Sequence, residues 1–161
     1  MPSRRVKSAL TKTQQRKKEH LELCLDTEKV SSSAGTGFEG YRFVHNALPE
    51  LDIDEIDVGT TFLGKLLKAP IMISSMTGGF DIARKVNRNL ASAAQALGLA
   101  MGVGSQRVAI EAPSAAISFQ VRDLAPDVFL FGNLGAVQLN YGYSVAQCRR
   151  AIDMIGADGL I

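Results

Sequence analysis

Pro70-Ile71-Met72-Ile73-Ser74-Ser75-Met76-Thr77-Gly78-Gly79 opens on a short apolar run and closes on hydroxyls and glycines. A buried strand reads this way when it feeds a tight turn toward a helix. That helix is expected over 83–97, where Val86, Leu90, Ala93, Ala94 and Leu97 recur at helical spacing. The pattern then repeats. A second strand is expected over 99–103, ending in Gly104-Ser105-Gln106-Arg107, and a helix over 115–124 after Pro113. A third strand over 128–131 ends in Gly132-Asn133-Leu134-Gly135. A third helix over 144–155 sets Val145, Cys148, Ile152 and Ile155 on one side, and Asp158-Gly159-Leu160-Ile161 opens a fourth strand.

The strands begin about 29 residues apart, close to the length of a strand–helix unit. Apolar strands alternating with amphipathic helices imply a parallel sheet covered by helices. Doubly wound sheets and (β/α)8 barrels share this pattern, and both put active sites beyond the C-terminal ends of the strands. Upstream, residues 13–24 favour a helix, Ser31-Ser32-Ser33-Ala34-Gly35-Thr36-Gly37 a flexible loop, and 43–51 a short ordered connection. Between Ile56 and Leu67, β-branched residues around Gly59 and Gly64 suggest a small hairpin.

The 161 residues are enough for one core, and the two cysteines, Cys24 and Cys148, lie far from any metal-ligand spacing. That argues for a reducing compartment, and the chain is expected to be cytoplasmic. No run approaches the ~18 apolar residues of a membrane span. A net charge of +2 implies no polyanion, but Arg4, Arg5, Lys7, Lys12, Arg16, Lys17 and Lys18 all precede the first acid, Glu19. Such an arm reads as a solvated tail, a nucleic-acid arm, a transit peptide or the edge of a phosphate site. The lack of interleaved aromatics counts against nucleic acid, and the lack of an apolar face before Leu10 against a transit peptide.

The three turns carry the chemistry. In Ser74 to Gly79, small residues let backbone N–H groups approach a ligand, and Thr77 offers a donor and an acceptor; a plain tight turn is the competing account. Gly102-Val103-Gly104 lacks the third glycine of a dinucleotide fingerprint, and no helix is expected directly after it. Ser105 and Gln106 can hydrogen-bond there, and Arg107 can grip a phosphate with its planar fork. Asn133, at the tip of a buried strand, has an amide suited to a heterocycle edge, unless it serves only as a turn former. His20 and His45 are the only histidines, too few for a metal cluster.

Five motifs in order, Arg16-Lys17-Lys18-Glu19-His20, Phe43-Val44-His45-Asn46-Ala47-Leu48-Pro49-Glu50-Leu51, Met76-Thr77-Gly78-Gly79, Gly104-Ser105-Gln106-Arg107 and Asn133-Leu134-Gly135-Ala136, carry a resemblance. From about residue 14 onward the chain resembles the type 2 isopentenyl-diphosphate isomerases. The resemblance implies a (β/α)8 TIM barrel, of which residues 1–40 would form the basic arm, helix and loop and 41–161 the first half, about four strands. It implies isomerisation of isopentenyl to dimethylallyl diphosphate by a 1,3-proton shift, with reduced FMN, NADPH as reductant and Mg2+ on the diphosphate. Arg16 and Lys17 would bind the diphosphate, with His20 one turn on. Ser75, Met76, Thr77, Ser105 and Asn133 would contact the flavin, and Ser105, Gln106 and Arg107 would line the substrate site. Family members continue into a His-x-Asn-x-x-Gln-Glu segment, whose Glu helps hold Mg2+, and into later FMN-phosphate turns. The chain alone is therefore expected to be inactive and self-associating, with exposed sheet edges, and the full-length enzyme to be a homo-oligomer binding neither nucleic acid nor membrane. The alternatives are an FMN-dependent 2-hydroxy-acid dehydrogenase on the same barrel and a non-catalytic half-barrel binding module.

Overall fold

The computed structural model describes residues 12–26 and 34–161. The basic residues before Lys12, and Ser31 to Ser33 of the expected loop, lie outside the described residues. A helix, α1 (Lys12–Cys24), leads into an irregular stretch and then a hairpin, β1 (Thr60–Phe62) and β2 (Lys65–Leu67). After it come β3 (Met72–Ile73), α2 (Asp81–Leu97), β4 (Ala100–Gly102), α3 (Arg107–Glu111), β5 (Leu130–Gly132), α4 (Val145–Ile155) and β6 (Gly159–Leu160). The last four strands pair in parallel in the order β3-β4-β5-β6, with Met72 opposite Ala100, Met101 opposite Leu130 and Phe131 opposite Gly159. Strand order never reverses, so the sheet has no switch point of the kind a doubly wound fold uses.

The helices cover one face. Met101, Val103, Phe119, Val121, Leu130 and Ile155 pack there with the alanines of α2. Phe119, fully buried, alone contributes about 2–3 kcal/mol of apolar burial. On the other face the hairpin plugs the N-terminal ends of the strands. Phe62 stands edge-on to Phe129 and Phe131 at 5.7 and 6.1 Å, and Leu67 and Ala100 complete the cluster. The turn Leu63-Gly64 has positive φ at both positions (47° and 82°), the geometry that matches the twist of a two-residue hairpin.

Three expectations need correction. The helix expected over 115–124 is a 3-10 turn, Pro113–Ser118, preceded by the short α3 that was not anticipated directly after the second strand. Proline forces the residue before it out of the helical region: Ala112 lies at φ −133° and ψ 95°, so α3 stops there. The buried face of α2 is Ala83, Asn87, Ala91 and Ala94, and Leu97 is exposed. Three alanines and one asparagine take that line, and Leu90 packs against the core beside them. On α4 the expected Ile155 is buried together with Ala151, whereas Val145, in the first turn of the helix, is exposed. The connection expected over 43–51 stands as such, with no helix or strand, and its Phe43, Val44 and Leu48 are exposed.

Candidate ligand site at the ends of the parallel strands

The turn after β3 is held from behind by two buried polar side chains. Asn87 Oδ1 accepts from the Thr77 hydroxyl at 2.7 Å, while its Nδ2 donates to the carbonyls of Thr77 (3.2 Å) and Ser118 (2.9 Å). Ser118 Oγ in turn accepts from the Gly79 N–H at 2.7 Å and donates to the Ala115 carbonyl. Gly78 sits at φ 152°, and a Cβ there would overlap the Phe119 ring, so only glycine fits. The turn after β4 crosses close above. The Gly104 N–H donates to the Thr77 carbonyl at 2.8 Å, and a Cβ on Gly104 would stand 2.7 Å from that same oxygen. The two turns are thus fastened to each other by backbone contact.

Helix α1 lies across these turns. Lys17 Nζ donates to the Ser105 carbonyl at 2.7 Å and sits 5.1 Å from the centre of the Phe119 ring. Burial, then the neighbouring charges of Arg16 and Arg107, bring its pKa down to about 8. Between helix and turns lies a cavity of about 590 Å³. Of the residues singled out from sequence, Arg16, Lys17, His20, Ser75, Met76, Thr77, Ser105 and Asn133 line it together.

Gln106 and Arg107 do not. Gln106 is fully buried, and its amide is committed to Ala151 and to the backbone of Asn133. Arg107 stands behind Lys17, its Nε 3.0 Å from Glu111 and its Nη2 3.5 Å from the Thr13 hydroxyl. Thr77 also departs from expectation in part, because its hydroxyl proton is spent inward on Asn87. Leu21, Leu23 and Cys24 of α1, with Phe80 just before α2, add an apolar wall that sequence reading passed over. Asn87 was overlooked as well. Its one signal was a polar residue inside an alanine-rich helical face.

Two polar groups await a partner. Ser75 Oγ is buried without a hydrogen bond, and the Asn133 amide makes none among the described residues. An orphaned hydroxyl, a free amide, an apolar wall and a cationic rim suit a flat polar ring carrying an anionic tail, as FMN does. Among the described residues no group of His, Cys, Asp and Glu is placed to hold a metal ion, and no helix is long and apolar enough to cross a membrane.

Fold and cavity together define an α/β protein with a parallel sheet and a cation-rimmed cavity at the carboxyl ends of its strands. Its sequence matches the profile of the FMN-dependent dehydrogenases over residues 9–122. The chain belongs to that family. It is 55% identical over 147 residues to an isopentenyl-diphosphate delta-isomerase of Synechococcus sp., which covers 91% of this chain and 42% of the relative. A Nostoc sp. protein of the same name is 54% identical over 149 residues, covering 92% of this chain and 43% of its own length. One from Rickettsia canadensis is 52% identical over 147 residues, covering 91% and 43%. The chain thus spans less than half the length of the curated relatives it matches.

Proposed function

We propose that this chain supplies the diphosphate-binding helix and the first flavin-contacting turns of an FMN-dependent isopentenyl-diphosphate isomerase built as a (β/α)8 barrel. The observation that carries the reading is the meeting of Arg16, Lys17 and His20 with Ser75, Thr77, Ser105 and Asn133 around one cavity. Helix α1 belongs to an N-terminal segment, residues 1–40, that precedes the barrel, and 41–161 supply its opening strands. The unreversed strand order supports that architecture.

In this reading Arg16 and Lys17 bind the diphosphate, with His20 beside them and Arg107 adding charge from behind. Ser75, Met76, Thr77, Ser105 and Asn133 hold the flavin, and Ser75 Oγ gains the partner it lacks. Reduced FMN, regenerated by NADPH, supplies the acid–base group for moving a proton between two allylic carbons without net redox change. The chain's own residues bind, orient and exclude water. Leu21, Leu23 and Phe80 offer the apolar wall for the five-carbon body. Mg2+ finds no cluster of ligands among the described residues, so no step is assigned to it. The setting is cytoplasmic and the working enzyme a homo-oligomer, with neither nucleic acid nor membrane as partner.

The test uses the longest natural polypeptide that carries this sequence, incubated with FMN, NADPH, Mg2+ and isopentenyl diphosphate. Formation of dimethylallyl diphosphate, lost on Lys17→Met, supports the reading, and no product from well-folded flavoprotein refutes it. The family's dehydrogenase description favours a second reading, oxidation of a 2-hydroxy acid. Bleaching of the flavin by such an acid alone would establish that one instead.

A further inference from the structure

Gln106 is the largest fully buried polar side chain among the described residues, with none of its surface exposed. Burying a carboxamide costs free energy unless every group is paired, and leucine would fill the same space without that demand. Its pairing is specific. Gln106 holds both backbone groups of a single residue: its own N–H donates to the Asn133 carbonyl at 2.8 Å, and its Oε1 accepts from the Asn133 N–H at 3.1 Å. Nε2 is anchored to the Ala151 carbonyl of α4 at 2.7 Å. The residue before Asn133 is shaped for the carboxamide, because a Cβ on Gly132 would stand 2.7 Å from Oε1.

We infer that Gln106 is a positioning residue that clamps the backbone of Asn133 and so aims its free amide into the cavity. It touches no ligand itself. The clamp also ties Asn133 to Ser105, the neighbour of Gln106 in sequence, so that the turns after β4 and β5 present their cavity residues as one unit. The consequence for FMN rests on the function proposed above, whereas the clamp itself does not.

The test combines FMN titration, followed by flavin fluorescence, with NMR hydrogen exchange at the Asn133 N–H, on the longest natural polypeptide carrying this sequence. In Gln106→Leu the Asn133 N–H should exchange faster and FMN should bind about tenfold more weakly, the loss of one to two hydrogen bonds. Gln106→Glu should be as weak at neutral pH, where a carboxylate faces the Ala151 carbonyl. It should recover toward the parent as acid protonates that group and restores a donor, a pH profile the parent lacks. Should Gln106→Leu fail to fold, Gly132→Ala takes its place, since the added methyl presses on Oε1 and should loosen Asn133 in the same way. Unchanged exchange and FMN affinity in the folded variants overturn the inference. If the parent itself binds no FMN, the flavin reading fails, and exchange at Asn133 alone then decides the clamp.

Discussion

Lys17 of α1 reaches across to the carbonyl oxygen of Ser105, with Nζ 2.7 Å away. This bond and the longer one between Arg107 and Thr13 tie α1 to the turn after β4, and no described residue of α1 is buried. An ammonium half out of water, beside Arg16 and Arg107, is held there at some cost, which is why its pKa falls from 10.5 to about 8. An anion in the cavity reverses that cost.

Binding of inorganic pyrophosphate should therefore weaken as pH rises through about 8, because the anion selects the protonated lysine and must draw in a proton above that point. Calorimetry in buffers of different ionisation heat should show proton uptake between pH 8 and 9, and Lys17→Met should abolish it. Stability moves the other way. The unfolded chain keeps its proton up to the ordinary lysine range, near 10.5, while the fold gives it up near 8, so the lysine's contribution to stability rises with pH across that window. Pyrophosphate affinity independent of pH from 7 to 9 would contradict this account.

Removing the support behind the turn after β3 should cost more than removing a surface contact. Asn87→Ala strips the Thr77 hydroxyl and the carbonyls of Thr77 and Ser118 of a buried partner. A loss of about 2–4 kcal/mol is expected in urea unfolding. Thr77→Val, which removes the hydroxyl alone, should cost less. Equal costs for the two would mean that the carbonyl bonds of Asn87 contribute nothing.

The hairpin offers a change in the opposite direction. Leu63 is exposed and adopts φ 47°, a conformation asparagine tolerates better than leucine, with Gly64 following at φ 82°. Leu63→Asn should stabilise the protein by about 0.5–1 kcal/mol, visible as a higher midpoint in thermal unfolding with no change in ligand affinity. A lower midpoint would show that Leu63 packs against something the hairpin needs.

The sequence's strand–turn–helix rhythm revealed the parallel sheet because each strand is a short apolar run closed by glycine and polar residues, a local signal. Ser75 and Asn133, which line the cavity, lie on those polar turns and were legible with them, whereas Arg16 and Lys17 sit in a run of basic residues and were singled out by resemblance, not by a local signal. The faces of α2 and α4 were not legible. Periodicity marks apolar residues, whereas the buried faces hold Ala83, Ala91 and Ala151 and leave Leu97 and Val145 exposed. Gln106 reads as a ligand residue between Ser105 and Arg107. Only the fold, which turns it inward against Asn133, reveals its partners.

At the opposite end of the strands, Asp158 is the joint between β5, β6 and the loop before β5. Burial pushes its carboxyl up, but the Leu130 N–H at 2.8 Å, Arg122 at 2.9 Å and Lys65 at 3.6 Å outweigh that and hold it below the ordinary aspartate range. A depressed carboxylate stabilises the fold above its unfolded pKa, and the benefit is lost as acid protonates it. Stability should therefore fall as pH drops below about 4, and Asp158→Asn should flatten that part of the profile while lowering stability at neutral pH. Arg122→Met should do more damage, because the guanidinium also donates to the carbonyls of Ala125, Val128 and Gly156. A loss of about 2–3 kcal/mol is expected in chemical unfolding at neutral pH. If the loss matched that of Asp158→Asn, the ion pair alone would account for the joint, and the carbonyl contacts would be incidental.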